Sequence, residues 1–282
     1  MNMNSHSYYS TEEMMEQTIT INGAEIFVKD VGQGVPLLML HGSPDTAAMW
    51  QPLIERLKDK VRCIAIDLPG FGRSTLPANF DLSLDHYAEF INTLLNMLGI
   101  QEPVRLLSAD FGTHYAQAFL VKYPQRVQGV VVSNSTFHHE YQWHRFAKLY
   151  RVPVLGEFLI ATPKSMLKQS LKQFAPALPK SYVEESYPVG FGSSKVRKTI
   201  LRMYRERNPA KDFVGWDEQS KALMQQKPSM VLWGDRDPFA ASTFADKFGA
   251  QQVFHFQNYS HWLPLEAPDA YAEKLIPWLA KA

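Results

Sequence analysis

Cysteine is almost absent from this sequence, since Cys63 is the only one in 282 residues. A disulfide framework and a metal site built from cysteines are therefore excluded, and the apolar run around Cys63 predicts a buried, inert thiol. An excess of one charge is missing too, because 29 lysines and arginines face 28 aspartates and glutamates. The sequence thus offers no global basic field for nucleic acid.

Long hydrophobic runs are also missing. No uninterrupted apolar stretch approaches the length of a membrane span. Residues 1–16 lack both the positive flank and the apolar segment of a secretory signal. We therefore expect a cytoplasmic protein with a flexible N-terminal tail over residues 1–16, and neither a membrane nor a nucleic-acid partner. The oligomeric state is left open.

Apolar residues make up 45% of the chain, enough for a sizeable core. Strand and helix patterns alternate over residues 17–135 and again over 218–282, with a hairpin signal at Asn22-Gly23. The apolar runs are short and unbroken, which suits strands covered on both faces: Val35–Leu40, Val61–Asp67, Pro103–Ala109 and Val127–Ser133. This order predicts an α/β fold with a mostly parallel sheet flanked by helices.

The alternation stops over residues 136–217, where helical patches and prolines replace it. An interruption between two strands of one sheet predicts a mainly helical cap, inserted over the carboxyl edge where such sheets hold ligands. The segment carries 14 basic and 7 acidic residues. A basic cap could steer an anion, but a solvated helical face explains the charges more simply.

The sharpest motif lies at Leu106–Thr113, a strand pattern running into a helix pattern. The small residues Ser108 and Gly112 surround Asp110 there, as they surround the nucleophile in the sharp turn called the nucleophile elbow. At this point the sequence resembles the α/β-hydrolase fold superfamily. Because the central residue is Asp and not Ser, it resembles the aspartate-nucleophile branch, which contains haloalkane dehalogenases and epoxide hydrolases.

Four further loops carry the resemblance along nearly the whole chain: His41-Gly42-Ser43-Pro44, Asp67–Ser74, Trp233–Pro238 and Ser260–Glu266. The resemblance implies that the backbone N–H groups of Ser43 and Phe111 form the oxyanion hole. It also implies Asp237 as the acid and His261 as the base. The order nucleophile, acid, histidine is that of the hydrolase fold.

These residue types fit one chemistry. The carboxylate of Asp110 is already ionised and can displace a leaving group from an sp³ carbon, which forms an alkyl-enzyme ester. His261, oriented by Asp237, would then deprotonate the water that attacks this ester, and the two N–H groups would stabilise the oxyanion. The substrate would be a small, largely apolar molecule, and neither a metal nor an organic cofactor is needed.

Simpler interpretations exist for the same residues. Asp110 could cap the next helix, and Asp237 shares its turn with Asp235, which could also act as the acid. His138, His139 and His144 could suggest a metal, but we expect adjacent histidines to point apart, and no matching carboxylate or cysteine set is visible. We therefore predict no metal site.

The leaving group is less well defined. The cap resembles that of haloalkane dehalogenases, which favours hydrolysis of a carbon–halogen bond. Those enzymes hold the halide with Asn and Trp side chains, and this sequence has Ser43 and Phe111 at the two positions. Trp143 in the cap is a candidate for the missing N–H donor.

Epoxide hydrolases, the alternative, use two cap tyrosines as acids on the ring oxygen. Tyr150 and Tyr204 are candidates, although both could simply pack the cap. Arginines that would grip a haloacid are missing after Asp110. A third alternative is a hydrolase-fold protein that binds a ligand with little turnover.

Overall fold

A computed structural model describes residues 14–281 of the chain. In that part, one sheet holds eight strands in the order β1-β2-β4-β3-β5-β6-β7-β8. Their bounds are β1 Met14–Ile21, β2 Ala24–Val31, β3 Pro36–Leu40, β4 Arg62–Ile66, β5 Val104–Ala109, β6 Val127–Ser133, β7 Ser229–Gly234 and β8 Gln252–Phe256.

The first two strands form the predicted hairpin. They pair antiparallel, and the turn residues Asn22 and Gly23 both have positive φ, at 50° and 81°. β2 also pairs antiparallel with β4, whereas every later pairing in the sheet is parallel. β1 begins at Met14, so the last three residues of the predicted tail lie in a strand, and residues 1–13 lie outside the described part.

Helices flank the sheet and fill the connection between β6 and β7. Those on the core are α1 Gln51–Leu57, α2 Leu84–Met97, α3 Gly112–Lys122, α11 Phe244–Lys247, α12 Leu263–Glu266 and α13 Pro268–Leu279. Those between β6 and β7 are α4 Arg145–Tyr150, α5 Leu155–Ile160, α6 Lys164–Phe174, α7 Tyr187–Gly192, α8 Ser194–Glu206, α9 Pro209–Asp212 and α10 Trp216–Gln226. The predicted α/β fold with a mostly parallel sheet is confirmed.

One predicted helix is shorter than expected. The pattern near residues 240–248 predicts a full helix, but α11 covers only Phe244–Lys247. The carboxylate of Asp237 accepts hydrogen bonds from the N–H groups of Phe239 and Ala240, at the start of this stretch. Gly249, with φ of 67°, follows at the other end.

Apolar side chains cover both faces of the sheet. One cluster joins the sheet to α2 and α3, and a second joins it to α1 and α13. Cys63 is buried in the second cluster, and burial raises the pKa of its thiol to about 12, which fits the prediction of an inert cysteine. Within residues 14–281, no helix has both the length and the apolar character needed to cross a membrane.

The carboxyl ends of β3, β5, β6 and β7 meet at one edge because these strands run parallel. The helical segment after β6 is tied to the loops at this edge. Lys195 on α8 donates to the carbonyls of Gly72 and Ser74, at 2.8 and 2.9 Å. α10 continues past residue 217, so the boundary between cap and core expected there falls inside a helix; the division into core and cap stays a prediction.

Candidate active site

Asp110 occupies a strained turn between β5 and α3. Its φ is 45°, in the left-handed region that non-glycine residues rarely adopt. The turn is tight because two glycines allow close approach: a Cβ on Gly42 would lie 2.5 Å from the Cβ of Asp110, and one on Gly112 would lie 2.2 Å from the carbonyl oxygen of Leu40. Strand, turn and helix together fix where the carboxylate points. The residue at the N-cap of α3 is Phe111, which makes no side-chain cap bond.

Two backbone N–H groups hold the Asp110 carboxylate. The N–H of Ser43 donates to Oδ1 at 2.8 Å, and the N–H of Phe111 donates to the same carboxylate. Burial raises the pKa of Asp110, while His261 and the two N–H groups oppose that effect by favouring the anion. The residues predicted as the oxyanion hole therefore converge on the predicted nucleophile.

His261 lies between two carboxylates. Its Nδ1 is 2.8 Å from Oδ2 of Asp237, and its Nε2 is 3.7 Å from Oδ2 of Asp110. Burial lowers the His261 pKa, but Asp237 and Asp110 outweigh burial and raise that pKa to about 9. Of the two aspartates in the acid loop, only Asp237 contacts His261, because Asp235 instead binds His255 at 2.7 Å.

Asn134 is not among the residues predicted from sequence, yet it belongs to this cluster. It directly follows β6, with φ of 38°. Its side-chain N–H group donates to Oδ2 of Asp237 at 2.9 Å and to the carbonyl of Gly234 at 3.0 Å, and its oxygen accepts from the Gly234 N–H at 2.9 Å. Asn134 thus links β6 to β7 and positions Asp237. The sequence signal that could have found Asn134 is its place as a polar residue at the end of β6, the strand beside the elbow.

A cavity of about 250 Å³ opens above these residues. Asp110, His261 and Ser43 line its floor, and most of the other lining residues are apolar and aromatic side chains of the helical segment. Both predicted cap tyrosines, Tyr150 and Tyr204, line this cavity. A larger open depression lies at the amino ends of the strands and brings none of the predicted site residues together.

Tyr204 is held by His144, whose role the sequence does not reveal. The Nδ1 of His144 caps α4 by accepting from the N–H of Ala147 at 3.3 Å. Burial lowers the His144 pKa to about 4, so the ring is neutral and carries its hydrogen on Nε2. That Nε2–H donates to the Tyr204 oxygen at 3.2 Å, which leaves the Tyr204 hydroxyl hydrogen free.

Tyr204 also keeps its proton. Burial raises the pKa of its hydroxyl well above the usual range, and the nearby charge of Asp110 adds to this. Burial raises the Tyr150 pKa as well. Both phenols are therefore proton donors at neutral pH, and Tyr204 is the one with a fixed hydrogen-bond partner on its oxygen.

The indole of Trp143 is engaged within the helical segment. Its N–H donates to the carbonyl of Arg207 at 3.3 Å, and the residue lines a small pocket beside Asp110 and His261 and not the cavity of about 250 Å³. Its ring stacks on Phe111 at 5.9 Å. The N–H that the prediction assigns to the leaving group is thus accepted by a backbone carbonyl of the helical segment, and the role of Trp143 stays a prediction.

The expectation that adjacent histidines point apart is also wrong. The rings of His138 and His139 stack with centroids 4.6 Å apart, and with Glu140 they form a group whose ligand atoms lie close together. Their charged partners are already on the chain, since Lys247 binds Glu140 and Asp217 binds His139. None of the three lines the cavity.

The chain is similar to known proteins over most of its length. A family model described as the alpha/beta hydrolase fold matches residues 35–268. The chain belongs to this alpha/beta hydrolase family. Haloalkane dehalogenase 2 of Mycobacterium tuberculosis is 25% identical to this hydrolase over 255 residues, which cover 88% of each chain.

Two other relatives of the hydrolase carry different names. A cis-3-alkyl-4-alkyloxetan-2-one decarboxylase of Shewanella oneidensis is 25% identical over 264 residues, covering 88% of this chain and 83% of the relative. A Pseudomonas aeruginosa structure, provisionally described as an epoxide hydrolase, superposes with a TM-score of 0.79 at 25% identity, over 95% and 96% of the two chains. The predicted superfamily and the prediction of a hydrolase are confirmed.

Proposed function

We propose that the hydrolase forms an alkyl-enzyme ester through Asp110 and releases it with water activated by His261. The attacking carboxylate oxygen forms a bond to an sp³ carbon, and the bond from that carbon to the leaving group breaks. Support comes from the strained turn that presents Asp110 to the cavity, and from the N–H groups of Ser43 and Phe111 around it.

The second half-reaction uses the pair His261 and Asp237. Ester formation removes the negative charge of Asp110, which is one of the charges that raise the His261 pKa. The imidazole then loses its proton more readily and can take one from water as the hydroxide adds to the ester carbonyl. The same two N–H groups stabilise the oxyanion, a contribution of roughly 3 kcal/mol per donor.

The leaving group that this cavity fits best is the oxygen of an epoxide. The observation that carries this proposal is the Tyr204 hydroxyl, whose oxygen accepts from His144 and whose hydrogen is free beside Asp110. As Asp110 opens the ring, the departing oxygen takes the Tyr204 proton, and Tyr150 can donate a second hydrogen bond. Hydrolysis of the ester then yields a diol, and Tyr204 regains a proton from solvent.

Hydrolysis of a carbon–halogen bond is the second candidate. Its support is the similarity over 88% of the chain to a haloalkane dehalogenase. A halide would have to be held by hydroxyl groups of Ser43, Tyr150 and Tyr204, because Phe111 offers no side-chain donor and the Trp143 N–H is engaged. We rank this candidate second because halide ions are better held by N–H donors already aimed at the cavity.

The experiment is intact-protein mass spectrometry of the His261→Ala variant after exposure to an epoxide panel and, separately, a haloalkane panel. Without the base, the ester accumulates. A mass gain equal to the whole epoxide, located on Asp110, supports the first candidate; a gain equal to the alkyl group alone supports the second. The double variant Asp110→Asn/His261→Ala is the matched control and should gain no mass.

Absence of an adduct from both panels would contradict both candidates and favour the ligand-binding alternative.

Three companion proposals rest on the sequence alone. Residues 136–217 act as a cap over a small-molecule site, the reaction needs no cofactor, and the protein works in the cytoplasm.

A further inference from the structure

Asp45 is a buried carboxylate that the proposed reaction does not use. It is 6% exposed and is not among the residues lining the cavity. Both of its oxygens have partners from distant parts of the chain. The hydroxyl of Tyr182, in the helical segment between β6 and β7, donates to Oδ1. The indole N–H of Trp262, in the loop before α12, donates to Oδ2 at 3.2 Å.

The backbone of Asp45 is part of the loop that carries an oxyanion N–H. Its own N–H donates to the carbonyl of Gly42 at 3.0 Å, which closes a turn around Ser43. Contacts that fix the Asp45 side chain therefore also restrain Ser43, whose N–H donates to the Asp110 carboxylate at 2.8 Å.

The other partner of Asp45 adjoins the base. Trp262 directly follows His261, and the two rings meet edge to face with centroids 5.1 Å apart. Asp45 thus connects three segments: the Ser43 loop, the histidine loop and, through Tyr182, the helical segment above the cavity. A carboxylate with two donors from different segments fixes both of them, since losing either donor would leave a buried charge poorly paired.

Asp45 also acts at a distance through its charge. Burial raises the Asp45 pKa to about 6, while Tyr182, His261 and Trp262 favour the anion and Asp110 opposes it. Tyr187 is a further titratable neighbour, and the Asp45 charge helps to keep it protonated. At neutral pH Asp45 is ionised, and its charge is one of three carboxylate charges that raise the His261 pKa.

We propose that Asp45 is a positioning residue of the active site: it fixes the Ser43 loop against Trp262 and Tyr182 and supplies a third negative charge to His261. The proposal rests on the proposed function only for the role of His261 as the base. The contacts and the charge effect exist in the free protein, so they can be tested without substrate.

The decisive variant is Asp45→Asn. The side chain keeps its shape, the amide oxygen can accept from Trp262, and the amide N–H can donate to Tyr182, because a phenol oxygen also accepts. The charge is lost, and the hydrogen bond with Tyr182 reverses its direction. In NMR titration of the full protein with labelled histidines, the His261 midpoint should fall by roughly one pH unit relative to the unmodified protein. The His261→Ala variant identifies the signal.

The matched control is Asp235→Asn, which removes a carboxylate from the acid loop that binds His255 and not His261. Its His261 midpoint should stay in place. If Asp45→Asn does not yield folded protein, Asp45→Ala removes the same charge and gives the same comparison. An unchanged His261 midpoint in a folded Asp45 variant would overturn the proposal.

A kinetic readout separates positioning from stability. Once a substrate is known, the acid limb of the rate of ester hydrolysis should move to lower pH in Asp45→Asn, by the same amount as the His261 midpoint. A purely structural role would lower the rate at every pH without moving the limb. If no substrate forms an adduct, the proposed function fails while the titration result still stands by itself.

Discussion

The Nε2 of His261 lies 3.7 Å from Oδ2 of Asp110, too far for a hydrogen bond but close enough for the two charges to interact. The imidazole is therefore not tied to the nucleophile. It is held on its other side, by Asp237 at 2.8 Å. This arrangement suits two successive roles of His261. Before the reaction its imidazolium forms an ion pair with Asp110, and once Asp110 becomes a neutral ester the imidazole can act as a base.

Replacing the nucleophile should abolish turnover. Asp110→Asn keeps the hydrogen-bonding shape of the side chain but removes the anion that attacks carbon. We expect a loss of turnover on the order of 10⁴-fold or more, with circular dichroism unchanged. Activity measurements on freshly purified protein check this, with mass spectrometry to exclude deamidation back to Asp. Retained activity in an Asn-containing sample would remove Asp110 from the mechanism.

The two aspartates of the acid loop should differ in effect. Asp237→Asn removes the charge that orients His261, and decay of the alkyl-enzyme ester should slow by about 10²- to 10⁴-fold. Asp235→Asn should leave that decay unchanged, because Asp235 binds His255 at the exposed side of the loop. Single-turnover mass spectrometry measures both rates. Equal effects of the two variants would contradict the assignment of Asp237.

Tyr204 should matter for ring opening and not for ester hydrolysis. Tyr204→Phe removes the proton donor, and formation of the ester from an epoxide should slow by about 10²-fold. Decay of the preformed ester should be nearly unchanged. Tyr271→Phe, at a buried tyrosine on the other side of the sheet, is the control and should change neither rate. An unaffected rate of ester formation in Tyr204→Phe would remove Tyr204 from the role of acid.

Stability should fall as the pH rises between about 6.5 and about 9. Below the ordinary His pKa of 6.5 the ring is charged in both folded and unfolded states, and its attraction to Asp237 and Asp110 stabilises the fold fully. Above about 9 the folded state has also lost the proton, and that contribution is gone. Thermal unfolding across this range measures the effect. His261→Gln should flatten the dependence, and an equally steep fall in that variant would assign it to other groups.

The mostly parallel sheet and the positions of the reactive residues along it could be predicted from the amino-acid sequence. Unbroken apolar runs, such as those of β5 and β6, and the turn-forming residues after them are local signals. A few consecutive residues are enough to indicate a strand buried on both faces or a turn. They place Asp110 at the end of β5 and His261 in a loop before the last helices, and the strand order brings these loops to one edge.

The partner of each polar group could not be predicted in this way, because it depends on how distant segments pack. Asn134 reaches Asp237 across 103 residues, Tyr204 receives its hydrogen bond from His144, and the Trp143 N–H goes to a backbone carbonyl. A hydrogen bond depends on ångström distances between segments far apart in the chain, and hydrophobic patterning specifies which face is buried without specifying those distances. The identity of the aspartate that orients the histidine was decided in the same way.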